Sequence, residues 1–361
     1  MSEKGSVGVA LGFSAVMAGL FAYVAVQEKP HLKVTELWTY PIKSCAPVRL
    51  QQARLDDYGF QHDRRWVVVE QESGEMAHQR KYKSMATVKT EFAGNELRIS
   101  APGMDEVLAV KLFDENDEGK PRRKVIIFGQ ELVGIDEGEA AAKWFSDFLG
   151  IPCALCKRPP SGYERGLPDT SVEVLDSGVS EVPGIVAYTD EHPLLVCTTA
   201  SLRDLNGKLA KVGKKEVPIS RFRPNIVVDE ECGVFSAGKR YKGFIEHDWR
   251  KITIGAVTLL STGHKNRCVM TTVDQATGTT EPRHLDAPAP GEKAPLAATN
   301  KDYYEPVTTL RGYRLDESAN SPVFGESFSH TKASIGSGIK VGDYLTAVTY
   351  KPAPVLKASS S

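Results

Sequence analysis

The amino-acid sequence predicts a mainly β (α+β) protein with two β-rich domains and a single N-terminal transmembrane helix. Most candidate elements are short alternating or apolar runs bounded by Gly, Pro, Asp or Asn, a pattern typical of antiparallel strands. Only two segments show clear helical periodicity, and one stretch of twenty residues near the N-terminus carries no charge. The length of 361 residues suits two domains, because roughly 150 residues per domain is usual.

The uncharged stretch covers residues 7–26. Twenty helical residues span roughly 30 Å, which is the thickness of the hydrocarbon core of a bilayer. A cleaved signal peptide is the main alternative, but its apolar core is usually about 7–15 residues, and no clear small-x-small cleavage site follows here. A buried core helix is the other alternative. Residues 1–30 are therefore predicted to be a membrane anchor, and Lys29 and Lys33 behind it weakly favour a cytosolic body.

The strand pattern begins directly after the anchor. We predict strands at 31–38, 65–70, 96–100, 107–112, 124–127, 153–157, 225–228, 251–254, 257–261 and 344–348. Because these strands occur in runs while the helices are set apart, the sequence predicts sheets curled into barrels or sandwiches, without alternating βαβ units.

Two helices are predicted, at 137–149 and 199–211. The first places Trp144 and Phe145 on one side and ends before Gly150. The second begins at a Thr or Ser cap and places Leu205 and Leu209 on one face. Each helix therefore has one apolar side to pack against a sheet.

Irregular stretches divide the chain. The segment 158–183 is rich in Pro, Gly, Ser and Asp, and it predicts a first domain at 31–160 and a second at 161–350. A stretch rich in Ala and Pro at about 283–302 is predicted to be a surface insertion in the second domain. Residues 351–361 are predicted to be a flexible tail.

Composition and missing motifs exclude several classes of protein. The 45 Lys and Arg residues nearly balance 46 Asp and Glu, which argues against nucleic-acid and other polyanion binding. No dinucleotide-binding G-x-G-x-x-G follows a strand, and the sequence lacks a P-loop, an H-E-x-x-H zinc motif and a G-x-S-x-G nucleophile elbow. Six cysteines are too few for a disulfide scaffold in a chain of this length, so a reducing compartment is expected.

The cysteine in Asn266-Arg267-Cys268 is the strongest candidate for chemistry. A neighbouring arginine favours the thiolate, which is the form that attacks substrates or binds metals, although an inert buried cysteine is the simpler alternative. Cys153 and Cys156 lack a second ligand pair at zinc spacing and would point to opposite faces of a strand. These two are predicted to be packing residues, as are the lone Cys45, Cys197 and Cys232.

Basic residues recur in turn-like settings, at Lys43-Ser44, at Arg64-Arg65 and in the run 221–225, RFRPN. Singly, each of them is typical of a solvated surface charge. Together they supply hydroxyl, amide, ammonium and guanidinium donors, a set that suits a phosphate and a polar heterocycle.

Several of these segments, taken in order, resemble the MOSC-domain molybdenum cofactor proteins. Residues 34–45 and 58–66 look like the β-barrel domain that precedes a MOSC domain. The MOSC domain itself is resembled by 199–206, 222–225, Arg267-Cys268 with 271–274, 321–325 and 339–343. The matches run from about residue 34 to 345, and their order is more specific than any single motif. With the N-terminal segment included, the chain is most similar to the amidoxime-reducing members of this family at mitochondria.

The resemblance implies a molybdenum cofactor (Mo-molybdopterin) between two β-rich domains, with Cys268 matching the cysteine whose thiolate binds the metal. A soft thiolate suits that role. Asp190 resembles a family aspartate near the metal and is the second predicted catalytic residue. The predicted cofactor-binding residues are Lys43, Ser44, Arg64, Glu191, His192, Arg223, Asn225, Asn266 and Arg267.

Glu191 and His192 depart from the small hydroxyl residues that the family has after the aspartate. A carboxylate facing a phosphate would be repulsive, so the backbone N–H is the contact expected of Glu191. The stretch 283–302 also lies outside the family pattern.

The function implied is reduction of N-hydroxylated compounds, namely amidoximes, hydroxylamines and N-hydroxylated bases, to amines. Electrons are expected from cytochrome b5 and its NADH-dependent reductase, and the implied location is the mitochondrial outer membrane with the body facing the cytosol. One alternative is a membrane-tethered cofactor carrier without turnover, which would not need Cys268 on the metal. Another is sulfur transfer by Cys268, for which no pyridoxal phosphate domain is recognisable.

Overall fold

The structure is a computed structural model that describes residues 31–160, 165–166, 182–231, 241–280 and 304–350. Within these ranges the chain forms mainly antiparallel sheets with three α-helices. The prediction of a mainly β (α+β) protein is confirmed.

The strands, numbered along the chain, are β1 (His31–Thr39), β2 (Val48–Leu50), β3 (Gln52–Asp56), β4 (Gly59–Phe60), β5 (Trp66–Glu70), β6 (Lys89–Ala93), β7 (Glu96–Ser100), β8 (Leu108–Lys111), β9 (Arg122–Ile127), β10 (Gln130–Asp136), β11 (Cys153–Lys157), β12 (Arg165–Gly166), β13 (Ile185–Val186), β14 (Leu194–Thr198), β15 (Ile226–Glu231), β16 (Trp249–Ile254), β17 (Val257–Asn266), β18 (Leu315–Asp316), β19 (Ser321–His330), β20 (Gly338–Lys340) and β21 (Leu345–Tyr350). The α-helices are α1 (Glu139–Leu149), α2 (Thr199–Lys211) and α3 (Val307–Arg311), with 3₁₀ turns at Lys83–Thr87, Ile219–Phe222, Ile245–Asp248, Val269–Thr272 and Lys332–Ser334.

The prediction of a transmembrane helix is not supported by the structure. Among the residues that the structure describes, no helix has the length and apolar character needed to cross a membrane. The predicted anchor at 1–30 lies outside those residues, as do the predicted tail at 351–361, the insertion at 283–302 and much of the linker at 158–183. The predicted domain boundaries stay predictions.

The largest sheet has the strand order β2-β1-β15-β14-β19-β17-β16-β21. Strand β1 pairs antiparallel with β15, so the first described strand lies beside strands from the second half of the chain. The backbone N–H of Trp38 donates to the carbonyl oxygen of Asn225 at 2.9 Å. This pairing brings the turn after β1, with Lys43 and Ser44, close to the turn before β15.

A single βαβ unit occurs in the described part of the chain, within sheets whose other named strand pairs are antiparallel. β14 and β15 are parallel, and α2 connects them. The Thr198 side chain accepts a hydrogen bond from the backbone N–H of Ser201, which caps the helix as the sequence predicts. Leu205 and Leu209 are buried against Phe222 and Phe324, so α2 closes one side of the sheet beneath the turn at 221–225.

A second sheet, β5-β11-β10-β9, packs against α1. The helix buries Trp144 and Phe145 and ends at Gly150, which adopts the left-handed conformation typical of a helix C-terminus. Cys153 and Cys156 on β11 contribute to different apolar clusters, which confirms that they point to opposite faces of the strand.

Candidate cofactor site

All eleven residues predicted for the site line one cleft. One part, the arginine chamber, has a volume of about 660 Å³ including its solvent-open mouth and is lined by Arg64, Arg221 and Arg223 among others. The other part, the cysteine chamber, has a volume of about 890 Å³ including its mouth and is lined by Cys268 among others. The two chambers share lining residues, including Lys43 and Asp190. The structure therefore brings together residues that are up to 225 positions apart in the sequence, while their individual roles stay predictions.

Three of the predicted residues have a left-handed backbone: Ser44 with φ 68°, Arg64 with φ 47° and Arg223 with φ 53°. Each lies in a short turn, after β1, before β5 and before β15 respectively. Such conformations are uncommon for residues other than glycine and cost about 1–3 kcal/mol, so they persist where the surroundings fix them. The cleft is thus lined by turns whose geometry is imposed by the folded structure.

Tyr40 supports two of the arginines. The guanidinium carbons of Arg64 and Arg223 lie 4.2 and 4.3 Å from the centroid of its ring. The Tyr40 hydroxyl donates a hydrogen bond of 3.0 Å to the carbonyl oxygen of Pro224, and burial raises the pKa of this tyrosine. The buried Asp63 accepts the backbone N–H of Tyr40 at 2.8 Å and also pairs with Arg64. These contacts hold both guanidinium groups in fixed positions.

Asn225 uses its side-chain amide within the protein. Its oxygen accepts from the backbone N–H of Leu195 and from Arg64, both at 3.2 Å. Its amide nitrogen donates to the carbonyl oxygen of Trp38 at 3.2 Å. Asn225 therefore ties β1, β14 and Arg64 together at the wall of the cleft.

Lys43 and Asp190 form an ion pair that lines both chambers. Burial by itself would raise the Asp190 pKa, but the charges of Lys43 and Lys265 outweigh it and hold that pKa well below its usual range. Burial lowers the pKa of Lys43 to about 8, against the opposing effect of Asp190. At neutral pH the carboxylate is therefore ionised, and the lysine is largely protonated but able to lose its proton.

Glu191 is neutralised by a neighbour. The Nζ of Lys265 donates to its carboxylate at 2.7 Å, and half of the Glu191 side chain is exposed to solvent. Burial would raise the Glu191 pKa, but the Lys265 charge lowers it overall. The expected repulsion between Glu191 and a bound phosphate is reduced by this pairing. Beside it, burial and the charge of Lys265 lower the pKa of His192 to about 4, so His192 is neutral at physiological pH.

Replacing His192 with asparagine is expected to weaken the loss of stability in acid. The folded protein keeps His192 neutral down to about pH 4, whereas an unfolded histidine titrates near about 6.5. Between these values the unfolded state binds more protons, so the wild-type protein loses stability as the pH falls through this window. Thermal unfolding of both proteins from about pH 7 to 4 measures how steeply the unfolding free energy of each changes with pH. Equal slopes would contradict the lowered pKa assigned to His192.

Arg267 and Cys268 directly follow strand β17 at the cleft. The buried Arg267 side chain donates from Nε and Nη2 to the carbonyl oxygen of Phe324 at 2.9 and 2.5 Å, and from Nη1 to that of Phe222 at 3.1 Å. Arg267 thus fixes the end of β17 against two neighbouring segments. Cys268 follows it, and the Cys268 backbone carbonyl oxygen accepts the N–H of Thr271 at 3.1 Å. Both Cys268 and Asn266 are exposed.

Cys268 differs from the other cysteines that the structure describes, all of which are buried. Burial raises the pKa of Cys45 to about 12 and that of Cys153 to about 11, so these thiols are poor nucleophiles and poor metal ligands at neutral pH. Accessibility therefore distinguishes Cys268 from these buried cysteines, and the alternative of an inert buried cysteine does not hold for it.

The cleft carries more positive charge than the predicted cofactor-binding residues supply. Arg80, Arg221 and Lys265 also line the cleft. Arg221 is the first residue of the basic run 221–225, and Lys265 precedes the predicted Asn266, whereas nothing in the sequence around Arg80 indicates that it lines the cleft. Among the described residues, the lining carries seven cationic side chains against two carboxylates, namely Lys43, Arg64, Arg80, Arg221, Arg223, Lys265 and Arg267 against Asp190 and Glu191. A near-neutral chain thus concentrates positive charge in one cleft, which favours an anionic ligand.

The donor set suits a phosphate-bearing polar cofactor that also has a metal. Guanidinium and ammonium groups are strong partners for phosphate, and an accessible thiolate is a soft ligand. The hydroxyl of Thr189, buried in the arginine chamber, has no hydrogen-bond partner within the described residues. Buried hydroxyls normally have a partner, so a polar ligand would satisfy it.

Comparison with known families and proteins agrees with this donor set. Residues 31–152 match the MOSC N-terminal beta barrel domain, and residues 183–346 match the MOSC domain. The chain is 33% identical to mitochondrial amidoxime reducing component 2 of Bos taurus, over 86% of this chain and 81% of that protein. It is 30% identical to component 2 of Homo sapiens, over 92% of this chain and 90% of that protein. It is also 30% identical to component 1 of Mus musculus, over 92% of this chain and 89% of that protein.

These matches support a function that involves the molybdenum cofactor. They extend over both parts of the chain that contribute to the cleft, because Lys43 and Arg64 lie in the first matched domain and Cys268 lies in the second. The chain therefore belongs to the MOSC-domain proteins, in the family of the mitochondrial amidoxime reducing components.

Proposed function

We propose that this chain is a molybdenum cofactor-dependent reductase that converts amidoximes, hydroxylamines and N-hydroxylated bases to amines or amidines. The observation that carries the proposal is that an exposed cysteine, Cys268, adjoins a cleft lined by seven cationic side chains. The names of the relatives support the reaction class. They also support a mitochondrial location for this chain.

Different residues of the cleft would contact different parts of the cofactor. Arg64 and Arg223, fixed over Tyr40, would hold its phosphate, and Thr189 would add a hydroxyl donor. The Cys268 thiolate would bind the metal. When bound, the cofactor supplies the two electrons that, with two protons, convert R–NHOH to R–NH₂ and water.

Lys43 is suited to deliver one of the two protons that the reaction consumes. Lys43 lines both chambers, and a pKa of about 8 makes its ammonium group a protonated donor that can give up its proton near neutral pH. The ionised Asp190 accepts a hydrogen bond from the Lys43 Nζ and orients it. Asp190 thus serves the reaction by positioning Lys43.

The electrons are proposed to come from cytochrome b5 and its NADH-dependent reductase, as the family resemblance implies. The test is NADH oxidation by the purified chain with both proteins and benzamidoxime. The proposal predicts NADH consumption in a one-to-one ratio with benzamidine formed. Stoichiometric molybdenum without benzamidine formation would contradict the reductase and favour a cofactor carrier.

A further inference from the structure

The hairpin turn between β9 and β10 has an unusual residue. Its two central residues are Phe128, with φ 51°, and Gly129, with φ 80°. Two-residue hairpin turns with positive φ at both positions strongly favour Asn-Gly, and a bulky aromatic residue with positive φ is rare. Phe128 is also 51% exposed. Neither turn preference nor core packing explains an aromatic residue at this position.

The Phe128 ring lies in the lining of the cysteine chamber. That chamber also contains Cys268 and Met76. The guanidinium carbon of Arg80 lies 5.3 Å from the ring centroid, and the Nζ of Lys43 lies 5.5 Å from it. Two cations thus flank one exposed ring at the candidate reaction site. Cation–π contacts of this kind help to hold an aromatic side chain in place.

The turn is fixed from behind. The backbone N–H of Met76 donates to the carbonyl oxygen of Ile126 at 3.0 Å, and the N–H of Ile126 donates to that of Gly74 at 2.8 Å. Met76 is buried, so the segment at 74–76 braces β9 just before the turn. Strained residues that surroundings hold in place are frequent at ligand sites, where the strain serves binding.

We propose that Phe128 is the aromatic platform of the substrate subsite and selects substrates whose N-hydroxylated group is conjugated to a planar ring. This inference rests on the proposed reductase function and names its preferred substrate class, aryl amidoximes and N-hydroxylated heterocycles over aliphatic ones. The two cations beside the ring favour neutral substrates, because a cationic substrate would be repelled.

The test compares Phe128→Asn with wild type in the full-length, cofactor-loaded protein. Calorimetric binding and kcat/KM are measured for benzamidoxime and for acetamidoxime, which lacks the ring. Loss of one aromatic contact is expected to weaken benzamidoxime binding and lower its kcat/KM by about three- to tenfold, with little change for acetamidoxime. Because Asn-Gly suits the turn, the Tm is expected to rise by about 2–4 °C.

Two further variants sharpen the result. Phe128→Trp keeps an aromatic platform and is expected to keep the preference for benzamidoxime. Phe113→Asn removes an aromatic side chain that is 74% exposed and does not line either chamber, and it is expected to change neither binding nor selectivity.

Equal benzamidoxime affinity and an equal substrate ratio in Phe128→Asn and wild type would overturn the assignment of Phe128. If wild type bound benzamidoxime but reduced neither compound, the proposed reductase function would fail. In that case the binding comparison would still decide whether Phe128 forms the platform.

Discussion

Replacing Cys268 with alanine is expected to abolish benzamidoxime reduction, with a loss of about a thousandfold or more. The proposed thiolate ligand would be removed, and bound metals contribute several kcal/mol to transition-state stabilisation, where about 1.4 kcal/mol is a factor of ten in rate. Cys268 is exposed, so its replacement is expected to leave the Tm within about 1 °C of wild type. Activity and stability are therefore expected to separate in this variant.

The matched control is Cys153→Ala. Cys153 is fully buried in β11 and lies outside the lining of both chambers. Its backbone carbonyl oxygen accepts the Ser146 hydroxyl at 3.3 Å, and its Sγ lies 3.7 Å from the same hydroxyl. This variant is expected to lower the Tm while keeping turnover per bound molybdenum. Full activity of Cys268→Ala would show that Cys268 is not a ligand of the metal, and it would contradict the role on which the proposed function rests.

Of the variants named here, Arg64→Ala is expected to lower the free energy of unfolding most. The variant protein is also expected to lose the cofactor. Arg64 pairs with Asp63, whose side chain is completely buried, and it also donates to Asn225 at 3.2 Å. Removing one partner of a buried ion pair costs about 3–5 kcal/mol, because the other charge stays buried without its counter-ion. The same change deletes one of the two guanidinium groups over Tyr40. Urea unfolding and the molybdenum content of the purified variant measure the two effects.

Arg49→Ala provides the control for Arg64→Ala. Arg49 pairs with Glu36 at 3.4 Å, but the Arg49 side chain is 61% exposed, so solvent screens this ion pair. Exposed ion pairs contribute about 0–1 kcal/mol, and the molybdenum content is expected to stay at the wild-type value. An Arg64→Ala protein as stable as Arg49→Ala, with wild-type molybdenum content, would refute the role given to Arg64.

The helices could be predicted from the sequence because their signals are local. Periodicity and a capping threonine place α2 at Thr199–Lys211, the predicted bounds, and α1 begins two residues after its predicted start. Strand β19 could not be predicted in the same way. It is buried along nearly its whole length, yet it carries Glu326, Ser327, Ser329 and His330.

The burial of β19 depends on partners that are distant in sequence. The Ser261 hydroxyl and the Nδ1 of His264, both on β17, bond to the Glu326 carboxylate, the latter at 2.7 Å. A buried strand with several polar residues shows no apolar alternation in the sequence, and the Glu326 carboxylate is tolerated in it because β17 supplies its hydrogen-bond partners. Tertiary pairing of this kind is not visible in a single segment.

The candidate site also combines residues that the sequence indicates with residues that only the folded structure brings together. The family resemblance names eleven residues, and the structure places them in one cleft, but nothing in the sequence indicates that Arg80 and Phe128 line the same chamber as Cys268. They reach the cleft because the segment at 74–76 braces β9, which is a contact between separate parts of the chain. Composition is misleading for the same reason, since a chain with nearly balanced charge places seven cations around one cleft.

The most direct test of the central claim is the molybdenum and pterin content of the wild-type protein, purified from cells that make the molybdenum cofactor. If the arginine chamber and Cys268 hold this cofactor, we expect molybdenum and pterin in equal amounts, approaching one of each per chain. Protein that is folded and free of both molybdenum and pterin under these conditions would contradict the account.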